Sequence, residues 1–207
     1  MTMKTRLTAL AAWALMLPAM VQAGTTLVNP NLASKEELQA MPNVDAGTAQ
    51  AIIDGRPYLS AADLDAALAS AMDDGQREAL YAKLFRPINL NNASEAEILL
   101  IPAMTKKMAH EFEEYRPYTS MEQFRREIGK YVDEEEVARL EQYVFIPVDL
   151  NAASEESIMT IPGMSKRMAH EFEEYRPYRD REQFRREIGK YVDDDEVARL
   201  ESYVTLN

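Results

Sequence analysis

Between Ile161 and Arg167 the chain reads Ile-Pro-Gly-Met-Ser-Lys-Arg, residue types that suit one kind of chemistry. Proline and glycine make a tight turn, serine is a good helix N-cap, and two cations occupy the helical turn that follows. A helix N-terminus leaves backbone N–H groups unpaired and aims the positive end of its dipole outward, so such a turn can hold a phosphate. Sixty residues earlier the chain has Ile101-Pro102-Ala103-Met104-Thr105-Lys106-Lys107, and sixty before that Met41-Pro42-Asn43-Val44-Asp45. The candidate phosphate contacts are therefore Gly163, Met164, Ser165, Lys166 and Arg167, with Ala103, Met104, Thr105, Lys106 and Lys107 as their counterparts. Alanine at 103 works against the positive φ that glycine supplies freely. Ser165 and Thr105, acting as caps, consume donors that a ligand would need, and Asp45 puts a carboxylate in the same place.

Other spacings point to ordinary surface chemistry. His110 with Glu114, and His170 with Glu174, lie four residues apart on one helix face but lack a third ligand, so no metal is expected. Lys107 with Glu111, and Arg167 with Glu171, have the spacing of ion pairs on a solvated helix. Glu113 and Glu114 stand beside Arg116 without the burial a catalytic acid requires. The chain contains no cysteine, and no Gly-rich phosphate loop, HExxH, GxSxG or Ser/His/Asp order. We expect neither an enzyme nor a cofactor.

Charge weighs against nucleic acid. The formal net charge is −12, and it becomes −14 once Lys4 and Arg6 are set aside. Duplex DNA draws most of its non-specific affinity from Lys and Arg that neutralise phosphates. Lys106-Lys107 and Lys166-Arg167 remain in its favour, with Arg125-Arg126 and Arg185-Arg186 as further candidates.

The elements that position these residues follow from a repeat. Pro87–Tyr118 and Pro147–Tyr178 are two copies of one pattern, in register without a gap through Val144 and Val204. A more divergent copy begins at Val28, with Gly55-Arg56-Pro57-Tyr58 in the place of Tyr115-Arg116-Pro117-Tyr118. The units are 28–87, 88–147 and 148–207, and basic against acidic residues number 5 to 9, 7 to 12 and 9 to 14. Within each unit the sequence predicts four short helices, so the fold class is all-α. Ser34 and Ser94, with Glu37 and Glu97, form capping boxes, whereas Ser154 keeps the cap alone. A second helix starts after Asp45, Thr105 or Ser165 and buries Met108, Phe112 and Tyr115; Arg-Pro-Tyr stops it. A third spans Met121 to Ile128, and a fourth is capped by Asp133. Residues 143–150 read as an extended connector. A unit of about 60 residues is marginal as a lone core, so neighbouring units are expected to pack together.

The first residues belong to another category. Lys4 and Arg6 precede an apolar run from Leu7 to Met20 and then Val-Gln-Ala before Gly24. This is the pattern of a secretory signal peptide over 1–23, with cleavage after Ala23 and a periplasmic or secreted product that no longer engages the membrane.

Leu150-Asn151, Ala153-Ser154, Ile161-Pro162-Gly163, Lys166-Arg167, Ala169 and Tyr175-Arg176 together resemble the helix-hairpin-helix domain of the ComEA family, the exported DNA receptors of bacterial competence. The resemblance spans each unit, specifically in the third, well in the second and weakly in the first. It implies three tandem helix-hairpin-helix modules whose first hairpins present N–H groups to a DNA phosphate. The chain departs from the family at its second hairpins, which have Tyr131-Val132-Asp133 and Tyr191-Val192-Asp193 where the family has Gly-x-Gly, followed by Glu134-Glu135-Glu136 and Asp194-Asp195-Glu196. Each of those acids would repel a phosphate about 7 Å away by roughly 0.6 kcal/mol even in a water-like dielectric. Two functions are left open. One is an exported interaction or scaffold protein with a protein partner, the acidic surface and repeated Tyr-Arg-Pro-Tyr corners pointing to a basic one. The other is a ComEA-like DNA-binding protein acting through the first hairpins of units two and three.

Overall fold

A computed structural model of the chain describes residues 27–206; the expected signal peptide lies outside the described residues. The molecule is mostly helical, as the composition of caps and stops requires. The first repeat holds α1 (Lys35–Gln39), α2 (Ala46–Asp54), α3 (Ala61–Leu68) and α4 (Asp74–Tyr81). The second holds β1 (Ile88–Asn89), α5 (Glu95–Ile98), α6 (Lys106–Glu114), α7 (Met121–Ile128), α8 (Glu134–Glu141) and β2 (Val144–Phe145). The third repeats this order with β3 (Val148–Asp149), α9 (Glu155–Ile158), α10 (Lys166–Glu174), α11 (Arg181–Ile188), α12 (Asp194–Glu201) and β4 (Val204–Thr205). None of the described helices is long and apolar enough to cross a membrane.

Caps set where the helices begin. Ser34 and Ser94 form complete capping boxes with Glu37 and Glu97, while Ser154 caps Ser157 without one. Asp45, Thr105 and Ser165 cap α2, α6 and α10, and Asp133 and Asp193 accept from the N–H groups of Glu136 and Glu196.

The stretch 143–150 is more than a connector. Its two halves pair, in parallel, with the start of one repeat and the end of the next: Ile88 with Val144, and Val148 with Val204. The first repeat has the matching bridge from Val28 to Leu84. Each repeat is thus closed by its own first and last residues.

A second closure uses the residues that define the repeat. In the second repeat the Asn91 side chain donates to Tyr118 O at 2.9 Å and accepts from Tyr118 N at 2.7 Å. Arg116 reaches back to donate to the carbonyls of Leu90 and Ala93, both at 2.6 Å. Asn151 with Tyr178 and Arg176 with Leu150 and Ala153 repeat the pattern, as do Asn31 with Tyr58 and Arg56 with Pro30 and Ala33. Much of each Tyr-Arg-Pro-Tyr corner is thus used within its own repeat. Their arginines satisfy carbonyls that no helix or sheet serves, and Tyr118 and Tyr178 are buried.

The buried side chains form two cores. One runs continuously through repeats one and two, from Ala33 to Val144, and the other belongs to repeat three. Aromatic contacts join successive repeats: Phe85 lies 5.1 Å from Tyr143 and Phe145 lies 4.6 Å from Tyr203, centroid to centroid. The first repeat also touches the third. Asn29 donates to the Tyr203 hydroxyl at 3.2 Å, and Arg86 donates to Ser202 Oγ at 2.7 Å while its guanidinium lies 4.0 Å from the centre of the Tyr203 ring.

Candidate functional site

The three first hairpins share one backbone shape. Asn43 and Ala103 both have φ of 61°, and Gly163 has φ of 77°. Ala103 thus adopts the left-handed conformation that the sequence argument expected it to resist. The turn hydrogen bond from Met104 N to Ile101 O, matched by Met164 N to Ile161 O, holds it there at a cost of about 1–2 kcal/mol. Left-handed geometry alone therefore does not demand glycine at 163.

Close packing does. A Cβ on Gly163 would lie 3.1 Å from both Cδ atoms of Leu32 in the first repeat and 3.4 Å from Arg199 Nη2. Arg199 in turn donates to Pro162 O at 2.6 Å, fastening α12 to the hairpin. Its counterpart Arg139 keeps 31 % of its side chain exposed, whereas Arg199 keeps 3 %. The two repeats differ here in that the hairpin of the third has Leu32 of the first repeat beside it.

The remaining candidate residues stand as the sequence placed them. Ser165 and Thr105 accept from Met168 N and Met108 N, each at 3.2 Å, which removes one donor from each hairpin. Lys106, Lys107, Lys166 and Arg167 are exposed at the first turns of α6 and α10, and Met104 and Met164 are half-buried beneath them. Arg167 extends over the Tyr191 ring at 6.0 Å. The supporting arginines are otherwise engaged. Arg125 binds Glu141 at 2.6 Å, Arg185 binds Glu201 at 2.6 and 2.8 Å, and Arg126 and Arg186 bind Glu127 and Glu187. Hydrogen bonds from Lys130 and Arg126 hold the Glu127 carboxyl below its ordinary pKa, so these pairs stay ionised.

The second hairpins are acidic at their surface. Asp133 and Asp193 are caps, and Glu136 and Glu196 pair with Arg139 and Arg199. Glu134, Glu135, Asp194 and Asp195 remain exposed. Beside them the Tyr115 and Tyr131 hydroxyls share a hydrogen bond of 2.8 Å, and those of Tyr175 and Tyr191 one of 2.9 Å.

Two expectations about α6 and α10 are revised. Glu111 and Glu171 are buried, 7 % and 8 % exposed, and do not pair with Lys107 and Arg167. They sit three residues after Met108 and Met168, on the apolar face itself. His110 and Glu114 do approach, at 3.7 Å, on an exposed face. Among the described residues no three His, Asp or Glu side chains gather as a metal site would require.

Sequence reasoning missed the junction of the three repeats, where Arg86 is buried. The signal was available: its repeat positions hold Ile146 and Leu206, so a cation interrupts an apolar column. No family model matches the chain, and no curated protein or solved structure matches it.

Proposed function

We propose that the chain is an exported, non-enzymatic array of three helix-hairpin-helix modules, about 60 residues each, that serves as a protein-interaction scaffold. The observation that carries this reading is the contact between Leu32 and Gly163: the glycine of the most family-like hairpin is used to seat another part of the same molecule. The asparagines and arginines of the repeat are likewise spent on internal clamps, and four of the arginines near the hairpins are paired with glutamates. What the surface offers is acidic. Glu134, Glu135, Asp194 and Asp195 present two similar patches to a basic protein segment.

A second reading has its own support. Lys106, Lys107 and Lys166 are exposed and form no ion pair among the described residues, so a ComEA-like contact with DNA phosphate through the hairpins of repeats two and three has its cations in place. Association of this kind would be weak and salt-sensitive on a body of this charge.

The scaffold reading is tested by affinity capture from a cell-envelope extract. The wild-type chain and a variant carrying Glu134→Gln, Glu135→Gln, Asp194→Asn and Asp195→Asn serve as baits. A basic protein retained by the first and lost from the second supports the scaffold. Recovery of nucleic acid in place of protein contradicts it.

A further inference from the structure

The three repeats meet at a buried charge. Arg86 is 1 % exposed, and its N–H groups go to uncharged acceptors. Nε donates to Tyr58 O at 3.2 Å, Nη1 to Pro87 O at 2.6 Å, and Nη2 to Leu59 O at 3.2 Å and Ser202 Oγ at 2.7 Å. The rings of Tyr203 and Phe145 lie 4.0 and 5.3 Å from the guanidinium carbon. These groups solvate the cation, but none of them neutralises it. One Nη1 hydrogen is left over, since that nitrogen has a single acceptor. Burial draws the Arg86 pKa down, yet a guanidinium keeps its proton, so the charge persists in a place where charges are normally paired.

Arg86 also borders a chamber of about 350 Å³ whose walls come from all three repeats, among them Ser60, Asn92, Arg181 and Ser202. Glu97 and Glu201 border it too. Glu201 is held by Arg181 at 3.2 Å and, from outside the chamber, by Arg185 at 2.6 and 2.8 Å, so of the two cations that line this space Arg86 is the one without a carboxylate in ion-pair contact. Arg181, Asn92, Phe145 and Val204 are shared with a cleft of about 1020 Å³ between repeats two and three, so the two spaces adjoin. Val144, Ile146 and Pro147 give that cleft an apolar flank. A buried cation beside a space that adjoins a partly apolar cleft suits a molecule with an anionic head and a small hydrophobic body.

We propose that this junction binds a small organic anion, its carboxylate or phosphate head held by Arg86 and Arg181 and its body in the cleft between repeats two and three. Binding would place a counter-charge in direct contact with Arg86, where Glu97 and Asp63 act only from farther off, and tie the repeats together. The inference is independent of whether the partner of the array is protein or DNA.

Thermal unfolding of the full chain, followed by circular dichroism, tests it with benzoate, phenyl phosphate and sodium chloride at matched ionic strength. We expect a saturable rise in Tm with benzoate or phenyl phosphate beyond that with chloride; the probe that gives it identifies the head group. The apparent affinity should fall at least tenfold in Arg86→Met. Because Arg86 also joins the repeats, Arg181→Gln provides a second variant, in which Arg185 still holds Glu201; affinity should fall several-fold there. A rise that chloride reproduces, or one of equal affinity in all three proteins, would overturn the proposal.

Discussion

At the scale of single residues, polar groups that look available for binding are committed to the backbone. Asn151 makes two part-buried hydrogen bonds to one residue, and replacing it removes both and leaves the Tyr178 amide without that partner. Asn151→Ala should destabilise the protein by about 1–3 kcal/mol in urea unfolding. The hairpins allow a sharper contrast. Ala103→Gly relieves a left-handed alanine on an exposed turn and should stabilise by up to about 1 kcal/mol, less the added freedom of the unfolded chain. Gly163→Ala adds the same strain and brings its Cβ within 3.1 Å of the Leu32 methyls, so it should cost about 1–2 kcal/mol. Leu32→Ala should recover part of that loss, and strict additivity in the double mutant would show that the two residues do not touch. The repeat made these asparagines and glycines conspicuous in the sequence. It did not reveal their partners, because Asn151 and Tyr178 lie 27 positions apart and no local pattern links them.

At the scale of elements, helices were legible because their starts and stops are chemical: a capping serine, threonine or aspartate at one end and Arg-Pro-Tyr or glycine at the other. The two-residue strands were not, since so short a segment has no alternation to read. The buried Glu111 was legible and overlooked, as its spacing from Met108 and Tyr115 puts it on the face they define. The pairing of α11 with α12 depends on charge and therefore on pH. Burial alone would raise the pKa of Glu201, but hydrogen bonds from Arg185 and Arg181 outweigh it and leave the carboxyl below its usual value. A carboxyl with a lowered folded-state pKa stabilises fully above its unfolded pKa, about 4.3, and loses that contribution as pH falls through the folded value. Glu201→Gln should accordingly flatten the fall of Tm below about pH 4.3, and an unchanged pH profile would show that the pair contributes nothing.

At the scale of the whole molecule, three units could be counted from sequence, but their arrangement could not be read from it. Several contacts between the first and third repeats use positions where the copies disagree, although Asn29 and Tyr203, which also meet, match Asn89 and Tyr143. Leu32 corresponds to Asn92 and Ala152, Arg86 to Ile146 and Leu206, Gly163 to Ala103, and Ser202 to Gln142. Disagreement among copies thus marks part of what joins the units. Exchanging Leu32→Asn with Arg86→Ile imports residues that the second repeat already tolerates. Small-angle scattering of that variant should show a larger radius of gyration at nearly unchanged helicity, whereas an identical scattering curve would mean that these contacts do not hold the array.

The same arrangement makes a statement about nucleic acid. The glycine hairpin lies against Leu32, Arg125, Arg126, Arg185 and Arg186 are paired with glutamates, and the chain carries a net charge of −12. Fluorescence anisotropy of labelled duplex DNA, titrated with the protein at low and then near-physiological salt, measures the consequence directly. We expect no association at physiological salt. Binding that survives there, with a salt slope corresponding to several released ions and abolished by Lys166→Glu with Arg167→Glu, would contradict the scaffold and make the hairpins a DNA site.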